Sequence, residues 1–337
     1  MIEIHPQTFQ LDNKKHVFFD IFLKKNIIHL ACPIFDNDYN GKNIEIYYEN
    51  KKLKMTDAIY NRFRWQPFKL LSFQINSQLK IPDEICVTVK YKKHISKSFN
   101  LKNIQSCVIP GKSPTKKHFT FTTLFKDDYT AFTPFYDYYK KQGIDHFYMY
   151  YNGKITDKIR NVFNKSDVTL IEWDFEYRQT MSDGSRRHYT QPAHINHSLY
   201  YFGKDNSKYM LFADLDEFLY IKNKTLKAYI DEYPNIEVFA FRNIWARFKK
   251  TNFKKFPNSF YANNDISEYS SRSKCIYLTD NVRSVQIHCP HEMVSKKDPI
   301  IDKSNIMYHF SGWNKPRSMV NEKNTQFNVT IDYPCEK

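Results

Sequence analysis

The apolar positions of this chain fall into two regimes. From residue 1 to about 109 they alternate with polar ones, as in Ile44-Glu45-Ile46-Tyr47-Tyr48, Leu70-Leu71-Ser72-Phe73-Gln74-Ile75 and Ile85-Cys86-Val87-Thr88-Val89-Lys90-Tyr91. A period of two sends successive side chains to opposite faces of a strand, and little helical periodicity interrupts it. Residues 1–109 therefore predict a small antiparallel β module, which either supports the next domain or binds a ligand itself, support being favoured. A polar, Pro-containing joint at 110–117 reads as a linker, and residues 118–337 as a second domain.

Beyond the joint the pattern changes to β-α alternation. Strands are predicted over 119–125, 146–151, 168–173 and 209–213. Between them come a helix with Thr133 as N-cap, Pro134 at its first position and Gly143 at its stop, a helix after Thr156, and a helix begun by Pro192 and ended near Gly203. The order predicts an α/β fold: a mainly parallel sheet with helices on both faces, whose ligands bind beyond the carboxyl ends of the strands.

One of those carboxyl ends carries chemistry. The apolar run Tyr209-Met210-Leu211-Phe212-Ala213 discharges into Asp214, Asp216 and Glu217 before Phe218-Leu219 resumes it. Acids at the edge of a core need a cationic partner, and hard divalent ions accept carboxylate oxygens. In an extended chain, residues two apart share a side at roughly 7 Å, so Asp214 and Asp216 are expected to reach one ion. The competing reading is a strand end whose acids cap the following turn.

Composition adds limits. The chain has 337 residues, 41% apolar and 17% aromatic, enough for a large core and too apolar for disorder. Lys and Arg total 51 against 36 acids, a net charge of +15, which suits anionic partners without choosing among them. Six cysteines without a Cys-x-x-Cys spacing predict neither a zinc site nor a disulfide framework. The N-terminus lacks a basic region followed by an apolar stretch, and no segment approaches the roughly 18 apolar residues of a membrane span. A soluble, cytoplasmic protein is expected, in the host cytoplasm if the source is viral.

Residues 122–128 (Thr-Thr-Leu-Phe-Lys-Asp-Asp), 139–150 (Tyr-Lys-Lys-Gln-Gly-Ile-Asp-His-Phe-Tyr-Met-Tyr) and 214–218 (Asp-Leu-Asp-Glu-Phe) together resemble the family 92 glycosyltransferases of the GT-A fold. The likeness continues through Lys274-Cys275-Ile276, Val285-Gln286-Ile287-His288 and Tyr308-His309-Phe310. It implies a metal-dependent enzyme that moves a hexose, galactose by analogy, from a UDP-sugar to a glycan hydroxyl with inversion. By that resemblance Asp216 coordinates Mn²⁺ or Mg²⁺, Asp214 reaches the ribose or the metal, and a histidine completes the site, His309 first and His288 as its rival. Thr123, Lys126, Asp127 and Gln191 would face the nucleotide. Basic groups at Arg186, Arg187, His188, Lys315 and Arg317 are available to clamp phosphates. Inversion needs one general base, for which Glu268, Asp265 and Glu292 are candidates. Trp245 and Trp313 offer flat surface to a sugar. The family often ends its second strand Tyr-Asp-Asn, whereas this chain has Tyr150-Tyr151-Asn152, so nucleoside recognition is expected to differ.

Two other classes compete. A basic nucleic-acid-binding protein would use the 25 Tyr and 28 Phe for stacking, although no cationic stripe with interleaved aromatics stands out. A catalytically inactive carbohydrate-binding protein would use residues 1–109, although the intact pair of aspartates argues against decay.

Overall fold

The computed structural model describes residues 1–11, 15–34, 41–61, 68–75, 81–104, 118–180, 186–188, 190–247, 259–263, 273–295, 299–310 and 325–330. The α/β expectation holds. Strands Ile2–Ile4, Val168–Glu172, His146–Tyr151, His118–Phe125 and Ser207–Phe212 lie side by side in that order, each parallel to the next. The sheet then turns antiparallel through Lys274–Leu278 and Val238–Arg247. On the far side of Val238–Arg247, strand Ile300–Phe310 runs parallel to it and pairs antiparallel with the short strand Glu217–Tyr220.

Helices cover both faces, and the alternation along each strand explains why. Phe147 and Met149 point to the side where α1 (Phe132–Lys141) and α2 (Asp157–Phe163) pack with Phe135, Tyr139, Ile159 and Phe163. Tyr148 and Tyr150 point to the other, where α3 (Thr190–Ser198) brings Ala193 and Ile195. Each fully buried Ile or Phe side chain contributes roughly 1.5–3 kcal/mol.

Helix punctuation is only partly as expected. Thr133 does not cap α1: a 3₁₀ turn over Tyr129–Ala131 leads into a helix that already starts at Phe132, with Ala131 at the N-cap and no side-chain bond. Burying Phe132 fully outweighs the capping preference of Thr133. Pro134 still falls in the first turn, where its missing N–H costs nothing. Gly143 ends the helix as expected, with φ +91°, and a Cβ there would lie 2.5 Å from the Cβ of Lys227. α3 starts at Thr190 rather than Pro192, then runs through a π-helical turn, Leu199–Gly203.

Residues 1–109 contribute an eight-stranded sheet among the described residues, mostly antiparallel, with one parallel join between Ile95–Ile104 and Asp20–Lys24. Strand Ile2–Ile4 instead extends the large sheet beside Val168–Glu172. The module has two apolar faces. Leu71 and Phe73 enter its own core, whereas Phe68 and Leu70, with Phe19, Ala31 and Ile59, join Trp173, Ile195 and Leu199 in a core shared with the α/β unit. α3 is thereby sandwiched, and all nine of its residues are buried. A cleft of about 240 Å³ opens along the seam, lined by Gln7, Asp20, Glu84, Asn100, Lys102 and Tyr201 among others. No helix among the described residues is long and apolar enough to cross a membrane.

Candidate active site

The acidic motif lies where the parallel strands end, as expected, but its backbone is not extended. Glu217 N donates to Asp214 O at 3.0 Å, closing a tight turn, and Glu217 Oε2 accepts from Asp214 N at 2.8 Å. The turn aims the acids differently. Asp214 faces Gln191 and Lys274, Asp216 faces His309, and Glu217 points into the core with its side chain 2% exposed. The expectation that Asp214 and Asp216 sit on one side of a strand is therefore corrected: Glu217 folds back on the motif and turns the chain.

Neighbouring elements fix each group. α1 holds the strand after the turn: Tyr139 Oη donates to Glu217 O at 2.9 Å and accepts from Leu219 N at 3.1 Å. Strand register sets His309 opposite Glu217 on one side and Trp245 on the other. The imidazole lies 3.4 Å from Asp216 Oδ2 through Nε2 and 3.3 Å from Glu217 Oε1 through Nδ1, with the Trp245 ring 4.1 Å away. Burial alone would lower the His309 pKa, but Asp216, then Glu217 and Asp214, raise it to about 9.

Lys274 is the cation that the acids require. Its ammonium, 2% exposed, lies 3.1 Å from Asp214 Oδ2, 3.2 Å from Glu217 Oε2 and 4.3 Å over the Phe212 ring. Desolvation opposes its charge, yet the two carboxylates keep its pKa well above that of a free lysine. Burial likewise would raise Asp214, and the fields of Lys274, His309 and His288 hold it below the usual carboxylate range. Glu217 is raised by burial despite Lys274, while Asn243 Nδ2 donates to its Oε1 at 2.9 Å. Gln191, in the first turn of α3, donates to Asp214 Oδ1 at 3.2 Å and accepts from Tyr177 at 3.0 Å.

Among the residues expected from sequence, the fold brings Gln191, Asp214, Asp216 and His309 together. His288 sits behind this group, its Nδ1 3.3 Å from Ser273 O and its field felt at Asp214. Thr123 is buried on the strand beside the site, its Oγ1 without a hydrogen-bond partner among the described residues; Lys126 and Asp127 are both exposed beyond the strand end. Glu292 is bound elsewhere: Arg283 donates to it at 2.7 Å and to Asp57 of the module at 2.9 Å. Glu268, Asp265, Trp313, Lys315 and Arg317 lie outside the described residues, as do the side chains of Arg186, Arg187 and His188. Asn152 donates to the carbonyls of Trp173 and Phe175, so at this strand end it ties loops together. Sequence reasoning assigned no role to Lys274; the available signal was a lone cation heading the apolar run Cys275-Ile276-Tyr277-Leu278.

Divalent metal fits this arrangement in a limited way. No group of three or more His, Cys, Asp and Glu side chains among the described residues is placed to enclose an ion. Asp216 Oδ2 and His309 Nε2 lie 3.4 Å apart, an oxygen and a nitrogen that would both reach one ion only once the imidazole has given up its proton. Asp214 and Glu217 share the single charge of Lys274, which offsets theirs in part.

No curated protein matches the chain significantly. Among solved structures it is similar to the mannosyltransferase Ktr4p from S. cerevisiae, with 12% identity and a TM-score of 0.26 over 41% of this chain and 42% of that one. An overlap that slight carries no structural argument. Over residues 119–333, more than half of its length and including the whole acidic turn with Lys274 and His309, the sequence conforms to glycosyltransferase family 92. The chain belongs to glycosyltransferase family 92.

Proposed function

We propose that this family 92 glycosyltransferase transfers a hexose, galactose by family analogy, from a UDP-sugar to a glycan hydroxyl with inversion, and that it requires Mn²⁺ or Mg²⁺. The observation that carries the reading is the meeting of Asp216 and His309, 3.4 Å apart, at the carboxyl edge of the parallel sheet. When bound, a divalent ion neutralises charge on the departing diphosphate. Asp216 and His309 would hold it, with Trp245 bracing the imidazole. Asp214, oriented by Gln191, presents an acceptor for a ribose hydroxyl. Lys274 reduces the repulsion that Asp214 and Glu217 would otherwise exert on incoming phosphates. The base that deprotonates the acceptor is sought among Glu268, Asp265 and Glu292, of which Glu292 is already engaged by Arg283.

Calorimetric titration of UDP with and without Mn²⁺, on the native chain and on Asp216→Asn, tests this. Binding that needs both the ion and Asp216 is expected. Equal binding without metal, or an unchanged affinity in the variant, would overturn the reading.

A further inference from the structure

The module formed by residues 1–109 touches the site through α3. Two side chains of one module strand, Asp20–Lys24, reach across the seam. Asp20 Oδ2 and His197 Nε2 are hydrogen-bonded at 2.8 Å, and His197 Nδ1 and Tyr150 Oη at 2.7 Å, which ties module, helix and second parallel strand in one line. Asp20 Oδ1 accepts from Gln7 N, so both oxygens are used. The contact is buried: His197 is 0% and Asp20 3% exposed.

Four residues along the same strand, Lys24 meets the end of the helix. Its Nζ donates to the carbonyls of Tyr200 and Tyr201 at 2.7 and 3.0 Å and pairs with Asp205 at 2.8 Å. Those carbonyls belong to the π-helical turn, where the regular ladder is broken and oxygens are left for an outside donor. A buried ammonium also complements the negative end of the helix dipole.

The opposite end of α3 carries Gln191, whose amide donates to Asp214. Gln191 and His197 are separated by six residues, about 9 Å of helical rise, with rigid backbone between them. Trp173 Nε1, donating to Thr190 O at 3.1 Å, completes the seating near Gln191. A helix buried on all sides cannot adjust one end without displacing the other.

We propose that Asp20 and Lys24 are positioning residues of the transferase: the module clamps α3 in the setting at which Gln191 meets Asp214, and is a working part of the nucleotide-sugar site. The part concerning donor binding rests on the reading under Proposed function; the mechanical part does not.

The test uses the full chain with Lys24→Met, which keeps volume and removes the ammonium, Lys24→Arg as the conservative variant, and His197→Gln. Hydrogen exchange is measured over 190–196, the end of α3 away from the bonds that Asp20 and Lys24 make with His197, Tyr200 and Tyr201, and over 197–206. Lys24→Met and His197→Gln are expected to speed exchange at 190–196 about tenfold, with Lys24→Arg close to native. Titration of UDP with Mn²⁺ is expected to show affinity falling about tenfold in Lys24→Met and returning in Lys24→Arg. Exchange confined to 197–206 would overturn the clamp, as would native affinity in Lys24→Met. If the native chain binds no UDP, the donor reading falls while the exchange result still decides the clamp. Should Lys24→Met fail to fold, His197→Gln carries both measurements.

Discussion

Replacing Lys274 with methionine isolates the central electrostatic feature of this site. The ammonium sits 3.1 Å from Asp214 and 3.2 Å from Glu217 at 2% exposure. At an effective dielectric near 20, each attraction is about 5 kcal/mol gross, and the desolvation of the lysine, several kcal/mol, is recovered when it is removed. What remains is two adjacent carboxylates that have lost their buried ammonium, with the His309 imidazole, 3.3 Å from Glu217, offsetting only part of their charge, and breaking such a buried arrangement costs about 3–5 kcal/mol. Glu217, already raised by burial, loses the charge that opposed that shift and takes up a proton more readily. Lys274→Met should therefore lower the urea midpoint strongly at pH 7 and progressively less toward pH 5. A double-mutant cycle with Glu217→Gln should return a coupling of at least about 2 kcal/mol, since removing one partner strands the other and removing the second then takes away that stranded charge. Destabilisation below about 1 kcal/mol, or coupling near zero, would show that water or rearrangement screens the acids and that Lys274 is not what allows them at the core edge.

The same structure sets three further outcomes. Gly143→Ala forces a left-handed residue and brings a Cβ to 2.5 Å from Lys227 Cβ, so thermal unfolding should reveal a loss of at least about 1–2 kcal/mol; a neutral result would mean that the α1 terminus can reshape. Burial lowers His29 and His194 to about 3, so both stay neutral when folded but charge when unfolded below the ordinary histidine value. Stability should rise with pH across that window and fall on acidification from pH 7 to 5 by about 2 kcal/mol for each, offset by somewhat under 1 kcal/mol from His309, whose raised pKa acts in the opposite sense. Denaturant midpoints that stay flat between pH 7 and 5 would contradict this. Asn152→Ala strands two carbonyls, those of Trp173 and Phe175, and should cost about 1–3 kcal/mol in the same assay; stability unchanged from the native chain would show that water replaces the amide.

What the sequence reveals here depends on the range of the forces involved. Strand and helix positions in the α/β unit rest on local periodicity and were legible to within one or two residues, with His146–Tyr151 matching at both ends. Capping preference misplaced the start of α1, because the tertiary gain from burying Phe132 exceeds the worth of one cap. The acidic turn shows the deeper reason for what was missed. Spacing of two predicts a shared side only if the chain stays extended, and whether it does depends on Glu217, whose carboxylate is drawn inward by Lys274 and Asn243 from strands 26 or more residues away. No local pattern contains that information. The same holds for the seam: alternation predicted two faces for each module strand, but only the joint core shows that the second face covers α3. Residues whose partners are distant in sequence, Lys274 for Asp214 and Asp20 for His197, are therefore the ones that a motif search passes over, and they set the geometry in which the recognisable aspartates work.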